Sequence, residues 1–246
     1  MSDGSFDTDR DYFAATAQTY DRLQPIVAGP AYRAGLDFML ALVPHEADNE
    51  FVFVELGCGT ASLTQAVLAR FPMSTAVAID SEPAMLEMTR RKLIPYGERV
   101  EVREADAAAC DLPSCNVVLS SFMLHHVPPD GMPPLFSRIA SVLSPGGCFI
   151  ALDTMRLGPA WSDSISAQSR RIYERHVAAA IAAGLATQAE IDSRWALKRS
   201  MKEAGKDVEY SHRAEDIVAQ MAEAGFCEAG IVWRQFASTV LTAFAE

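Results

Sequence analysis

Apolar residues along this chain fall into short continuous runs and into longer stretches of helical period. The run Phe51–Val54 is continuously apolar, which predicts a central strand of a parallel sheet covered on both faces. It stops at Glu55, Gly57 and Gly59, after which Leu63, Val67 and Leu68 return at helical spacing. A second apolar strand, "TAVAID", ends on Asp80. Another run, "SSFMLHHVPPD" over residues 120–130, ends on two adjacent histidines and is closed by two prolines. Beyond Asp153 the pattern turns helical from about Gly158 to Asp207. One stretch carries Ile165, Ile172 and Ala179 at seven-residue spacing, with Tyr173, Val177 and Ile181 at four, and stops at Gly184. The next opens on Thr187 and Glu190, a capping box, and stops at Gly205. A further helix, "SHRAEDIVAQMAEAG", is closed by Gly225, and two β-rich runs, "CEAGIVWRQF" and "ASTVLTAFAE", form an edge hairpin whose last strand is expected to be antiparallel.

The turn at 55–59 carries the first chemistry. Glycine suits a backbone that must bend tightly and let a ligand approach without a Cβ in the way. Strand, glycine turn and helix N-terminus together make a cofactor cradle. The dinucleotide fingerprint GxGxxG fails here, because its third glycine is Ser62. Glu55 at the strand end would repel a pyrophosphate and suits a cationic ligand instead. Asp80 follows Gly59 by 21 residues at a second strand end, where it can hydrogen-bond a ribose diol.

With these residues in hand, the chain resembles the class I S-adenosylmethionine-dependent methyltransferases over about residues 50–153. "VELGCGTASLT" is similar to the family's glycine motif and "AIDSEPAMLEMTRRKL" to its acidic-loop motif. "VREADAAACDLP", "NVVLSSFMLHHV" and "VLSPGGCFIALD" are similar to the segments around the third, fourth and fifth strands. Ala61–Ser62 departs from the family, which commonly has a glycine there. The resemblance implies an α/β fold: a doubly wound, Rossmann-like, seven-stranded and mostly parallel sheet with a terminal antiparallel strand and an inserted helical cap. It also implies S-adenosyl-L-methionine as cofactor and no metal. Glu55 and Gly57 would face its methionine part, Asp80 the ribose hydroxyls, and Asp106 with Ala107 the adenine, and Gly59 would bind the cofactor with them. Ser121, at the end of the fourth strand, joins this set. Ser81 either contacts the ligand or caps the helix that follows. Tyr20, in a helical lead-in, would close over the cofactor or else pack as an aromatic staple.

The organisation expected is one methyltransferase domain over 1–246, with a lead-in at 1–49, a cofactor-binding core at 50–157, a cap at 158–207 and core completion at 208–246. An insertion after the fifth strand lies beside the carboxyl ends of the strands, where open α/β sheets bind ligands. Trp161, Arg170, Arg171, Tyr173, His176 and Trp195 are the candidates to line such a lid, each with helix packing or a solvated face as the plainer role.

Charge and cysteine content narrow the partners. A formal net charge of −11 argues against nucleic acid, whose non-specific binding needs a Lys/Arg field. No run reaches the ~18 apolar residues of a membrane span, so no membrane partner is expected. The polar start lacks the apolar core of a signal peptide, and the five cysteines show no CxxC spacing; a cytoplasmic protein with reduced thiols is expected. The partner expected is a small-molecule acceptor, and nothing in the sequence opposes a homodimer.

A hydroxyl acceptor must lose its proton as it attacks a methyl group, and histidine is the natural base near neutral pH. His125 and His126 follow the fourth strand, and Asp153 ends the fifth, so the carboxylate can orient an imidazole. This LHH stretch with a strand-five Asp resembles bacterial natural-product O-methyltransferases. The leading expectation is methyl transfer to a hydroxyl oxygen with histidine-assisted deprotonation, His125 being favoured over His126. The alternatives are N-, C- or S-methyl transfer by proximity alone, a cofactor-binding protein without transferase activity, and a tRNA-modifying enzyme using a related cofactor.

Overall fold

The computed structural model describes residues 9–205 and 209–246, and for residues 9–11 and 159–164 the backbone alone. Seven strands form one sheet: β1 (Val52–Leu56), β2 (Thr75–Asp80), β3 (Val100–Glu104), β4 (Cys115–Ser121), β5 (Leu143–Thr154), β6 (Glu228–Gln235) and β7 (Ser238–Phe244). Their order is β3-β2-β1-β4-β5-β7-β6. The first five are parallel, and β7 runs antiparallel to both β5 and β6. The expected doubly wound, mostly parallel sheet is therefore present. The C-terminal hairpin is reversed in space: β7 inserts beside β5, and β6 takes the outer edge.

Side chains of successive strand residues point to opposite faces, and both faces of this sheet are apolar. Phe53, Val117, Leu119, Ile150 and Leu152 join one core, under α2 (Ala31–Leu42) and α3 (Ser62–Arg70). Val54, Leu56, Val118, Phe149 and Ala151 join the other, under α5 (Met132–Val142) and α8 (Ala214–Glu223). Each fully buried side chain of this size contributes about 1.5–3 kcal/mol, so a one-residue slip of any central strand would forfeit many such terms. That register fixes where the strand ends lie.

The remaining helices are α1 (Asp9–Val27), α4 (Pro83–Leu93), α6 (Pro159–Ala182) and α7 (Gln188–Glu203). Thr187 and Glu190 form the expected capping box at the start of α7. Gly184, Gly205 and Gly225 take positive φ after α6, α7 and α8, as glycine stops do. The cap is thus two helices; residue 207, its expected end, lies outside the described residues. After β3 the chain crosses from the β1 side to β4, so the order reverses between β1 and β4. A crevice opens at the carboxyl ends of strands at such a point.

Candidate active site

The loop after β1 is held by its own backbone. Gly57 has φ +68°, and a Cβ there would sit 2.5 Å from Met123 Cγ, so packing as well as backbone conformation demands glycine. Gly59, at φ +54°, would meet nothing within 4 Å and faces open space. Its N–H donates to Asp80 Oδ2 at 2.7 Å, and the Glu82 N–H donates to Oδ1 at 2.9 Å. Asp80 thereby clamps the glycine loop to the end of β2. Burial pushes its carboxyl above the usual carboxylate value, and these N–H donors pull against that rise. Ala61, where the family has glycine, stands at φ +59°, a left-handed conformation costing roughly 1–2 kcal/mol for an L-residue.

Two residues do other work than the sequence suggested. Glu55 is 1% exposed and does not line the groove beside the glycine loop. Its Oε2 accepts from the Thr64 N–H at 2.8 Å and from the Thr64 hydroxyl, which ties β1 to the first turn of α3. Burial raises its pKa to about 7, so it is largely an uncharged acid below neutral pH. Ser81 lines the groove but does not cap α4; Glu82 does, its side chain accepting from the Ala84 N–H at 3.1 Å. Ser81 fails as a cap because Glu82 takes the Ala84 N–H that a Ser81 cap would need.

The groove itself, about 200 Å³, is lined by Gly57, Gly59, Asp80, Ser81, Asp106 and Ala107, and also by Ser121 and Tyr20. Eight of the nine expected cofactor residues therefore converge, and Glu55 stands behind them. Asp106 is exposed, and its Oδ1 accepts from the Ala108 N–H at 2.9 Å. Tyr20 reaches the groove from α1, and burial pushes its phenol far above its ordinary value, so it stays protonated. Its neighbour Asp21 anchors α1: it accepts from Thr60, from Ser62 Oγ at 3.1 Å, and pairs with Lys92 Nζ at 2.7 Å. Burial opposes ionisation of Asp21, but Lys92 and Thr60 hold its carboxyl below the usual range. Asp21 and Ser62 were invisible as partners in the sequence, being 41 positions apart. Phe122 was missed too. It follows β4 at φ +55°, stacks on Tyr32 with ring centroids 5.3 Å apart, and lines both the groove and a second cavity. A strained aromatic at a strand end was a signal only the backbone could reveal.

The second cavity, about 730 Å³, lies between the strand ends and the cap and shares Phe13, Tyr20, Phe122 and His126 with the groove. His125 and His126 stand at its wall, in a single 3₁₀ turn, Leu124–His126. The His125 Nδ1 lies 2.6 Å from Asp153 Oδ1, and its backbone N–H donates to Asp153 Oδ2 at 3.2 Å. Because a carboxylate only accepts, Nδ1 is the protonated nitrogen, which leaves the Nε2 lone pair facing away from Asp153. Burial alone would lower the His125 pKa, but Asp153 outweighs it and raises the value above that of an ordinary histidine. His126 lacks that partner. Burial and the neighbouring His125 push it down to about 4, and it rests edge-on to Phe13 with centroids 6.0 Å apart. The returning chain pins the turn: the Tyr210 N–H donates to His125 O at 2.7 Å.

Most expected lid residues do not reach this cavity. Arg170 and Arg171 face solvent, and Tyr173 and His176 pack α6 against neighbouring helices. Tyr173 accepts from Trp195 Nε1 at 2.8 Å, and His176 Nε2 lies 3.1 Å from Pro25 O. Trp195 lines the cavity, and Trp161 lies outside the described side chains. It is α7 that covers the chamber, through Arg194, Lys198, Met201 and Lys202. These recur at i, i+4, i+7 and i+8, one helix face, a signal the sequence did contain.

The linings differ in charge. The groove holds Asp80, Glu82 and Asp106 and no Lys or Arg. That set suits a cation and a diol and would repel a pyrophosphate. Residues 53–147 match the family model described as a methyltransferase domain. Over those residues the chain is similar to the class I S-adenosylmethionine-dependent methyltransferases. It is 31% identical to a trans-aconitate 2-methyltransferase of Methylobacterium nodulans, over 63% of this chain and 56% of that one. To a carboxy-S-adenosyl-L-methionine synthase of Campylobacter hominis it is 22% identical, over 60% and 62%. The chain thus spans little more than half the length of these curated relatives. Among solved structures, the DhpI–SAH complex superposes with TM-score 0.62 at 15% identity, over 99% of this chain and 98% of that one. An O-methyltransferase family protein of Burkholderia thailandensis gives 0.60 at 17%, over 96% and 59%. These likenesses extend to the fold. The cofactor of this methyltransferase family is S-adenosylmethionine, and the acidic groove fits its sulfonium and ribose. Among the described residues no helix is long and apolar enough to cross a membrane.

Proposed function

We propose that this methyltransferase-family chain methylates a hydroxyl oxygen of a small acceptor held in the 730 Å³ chamber, with His125 as general base and Asp153 as its positioning residue. The observation that carries this reading is the 2.6 Å contact between His125 Nδ1 and Asp153 Oδ1, at a wall where chamber and groove meet. A bound cofactor would supply an electrophilic methyl to the acceptor oxygen, the electron pair of the methyl–sulfur bond remaining on sulfur. Asp80, Asp106 and Tyr20 would hold that cofactor, and α7 would exclude water above the acceptor. The acceptor proton goes to His125 Nε2, and Asp153 stabilises the imidazolium that results. Holding oxygen and methyl in line accounts for much of the acceleration.

Burial and the neighbouring His125 push the His126 pKa down to about 4, which favours His125 over His126 as the base near neutral pH. A chamber of this volume fits a drug-sized or smaller molecule. The test is His125→Ala, assayed with an accepted hydroxyl substrate. Turnover should fall about 10²–10⁴-fold while affinity for S-adenosylhomocysteine holds. Wild-type rate should rise with pH through an inflection above the ordinary histidine value, since His125 must be deprotonated to act. A variant with wild-type kcat and an unchanged pH profile defeats the proposal.

A further inference from the structure

Among the described residues, one buried cation in the chamber has no anionic partner. Arg194, on α7, is only 5% exposed and lines the chamber, not the groove. Its Nη2 donates to a neutral group, Gln24 Oε1, at 3.2 Å, and its Nε and Nη1 have no hydrogen-bond partner. The rings of Tyr12 and Tyr20 hold the guanidinium at 5.0 and 5.5 Å from their centroids. Aromatic faces stabilise the positive charge but accept none of its in-plane N–H bonds. None of the ion pairs among the described residues includes Arg194. A guanidinium taken from water without an acid is costly, and an arriving anion relieves that cost.

The surroundings point the same way. Among the described residues, four that line the chamber are Lys or Arg (Arg156, Arg194, Lys198 and Lys202) against one acid, Glu209. Glu209 already accepts from Lys198 Nζ at 2.8 Å. In a chain of net charge −11, a basic chamber does not follow from composition.

We propose that the acceptor is a small hydroxy acid whose carboxylate binds Arg194 while its hydroxyl lies at His125. The assignment of the hydroxyl rests on the methyl-transfer reading above; the carboxylate site does not. A planar guanidinium fork matches a carboxylate in geometry, and two fixed points on one wall orient the acceptor. The carboxylate has two conceivable sources, the acceptor or the amino-acid end of the cofactor, and the absence of Arg194 from the groove favours the acceptor.

Calorimetry on the full chain saturated with S-adenosylhomocysteine tests this without requiring turnover. The probes are hydroxybenzoates, hydroxycinnamates, malate and citrate, each paired with its primary amide. At least one acid should bind tenfold or more tighter than its amide. Arg194→Gln should abolish that preference, and Arg194→Lys, which keeps charge but loses the fork, should retain part of it. If no acid outbinds its amide tenfold, or if the preference survives in Arg194→Gln, the proposal is wrong. S-adenosylhomocysteine and 5′-methylthioadenosine, titrated alone, separate the two sources and report folding. Both should bind Arg194→Gln as they bind wild type; a loss confined to S-adenosylhomocysteine assigns the guanidinium to the cofactor and overturns the proposal. Acid binding through Arg194 with no methylated product would leave this site standing and defeat the methyl-transfer reading instead.

Discussion

The groove and the chamber share a wall but oppose each other in charge. Among the described residues, the groove presents Asp80, Glu82 and Asp106 with no Lys or Arg, whereas the chamber presents four Lys or Arg and one Glu. The groove is built on strand ends and a glycine loop whose backbone N–H groups are already bonded, so its shape is set by the sheet. The chamber is closed by α7, whose Ile191 joins Leu23 and Ile26 of α1 in a small apolar cluster, with Arg22 and Glu190 paired at 2.5 Å on the surface. The proposed cofactor and acceptor sites thus lie on different elements and carry opposite fields.

If that division holds, substitutions in the groove should alter cofactor affinity and those in the chamber should alter turnover. The largest expected effect is at Asp80. Asp80→Ala removes the ribose partner together with the clamp on Gly59, and should weaken S-adenosylhomocysteine binding by roughly 1.5–3 kcal/mol. Calorimetry reads this directly, and an unchanged affinity in a folded variant removes Asp80 from the site. Next is Asp153→Asn, which keeps volume but leaves His125 poorly oriented. Turnover should fall about tenfold, or ~1.4 kcal/mol, with cofactor affinity intact. Its pH–rate inflection should also move down, because Asp153 raises the His125 pKa while burial lowers it. A variant that loses cofactor affinity instead would erase the boundary between the two regions.

Behind the groove the expected effect is on stability rather than on activity. Glu55 has a folded pKa of about 7 against 4.5 for an ordinary glutamate, so the native state holds more protons than the unfolded state between those values. Wild-type stability should therefore decline as pH rises through that window. Glu55→Gln cannot ionise, so relative to wild type it should gain roughly 2–3 kcal/mol in denaturant unfolding on going from pH 5 to pH 8. A pH-independent difference between the two would mean that Glu55 is not buried as an acid.

Much of this arrangement was legible in local sequence rules. The capping box at Thr187 and Glu190, the stops at Gly184, Gly205 and Gly225, and the turn at Gly57 and Gly59 depend on backbone conformations encoded within four or five residues. The strand ends at Asp80, Ser121 and Asp153 follow from apolar runs of strand length, and parallel order then brings His125 to Asp153. Ser81 shows where local rules fail: a plausible cap by residue type lost the role to Glu82, whose side chain takes the Ala84 N–H.

The chain by itself determined which elements form, where they stop, and which chemical groups stand at the strand ends. Tertiary structure decided which way those groups face. Glu55 and Asp80 are both strand-terminal acids, yet one turns into Thr64 behind the sheet and the other into the groove. Arg170, Arg171 and Arg194 are all cap arginines, yet only the last is buried beside Tyr12 and Tyr20. Asp21 meets Thr60 and Lys92 across a gap that no sequence period spans. The reason is one of range: helix and strand periodicity extend over a few residues, whereas the rotation of α1 and α7 is set by close packing against partners tens to hundreds of positions away.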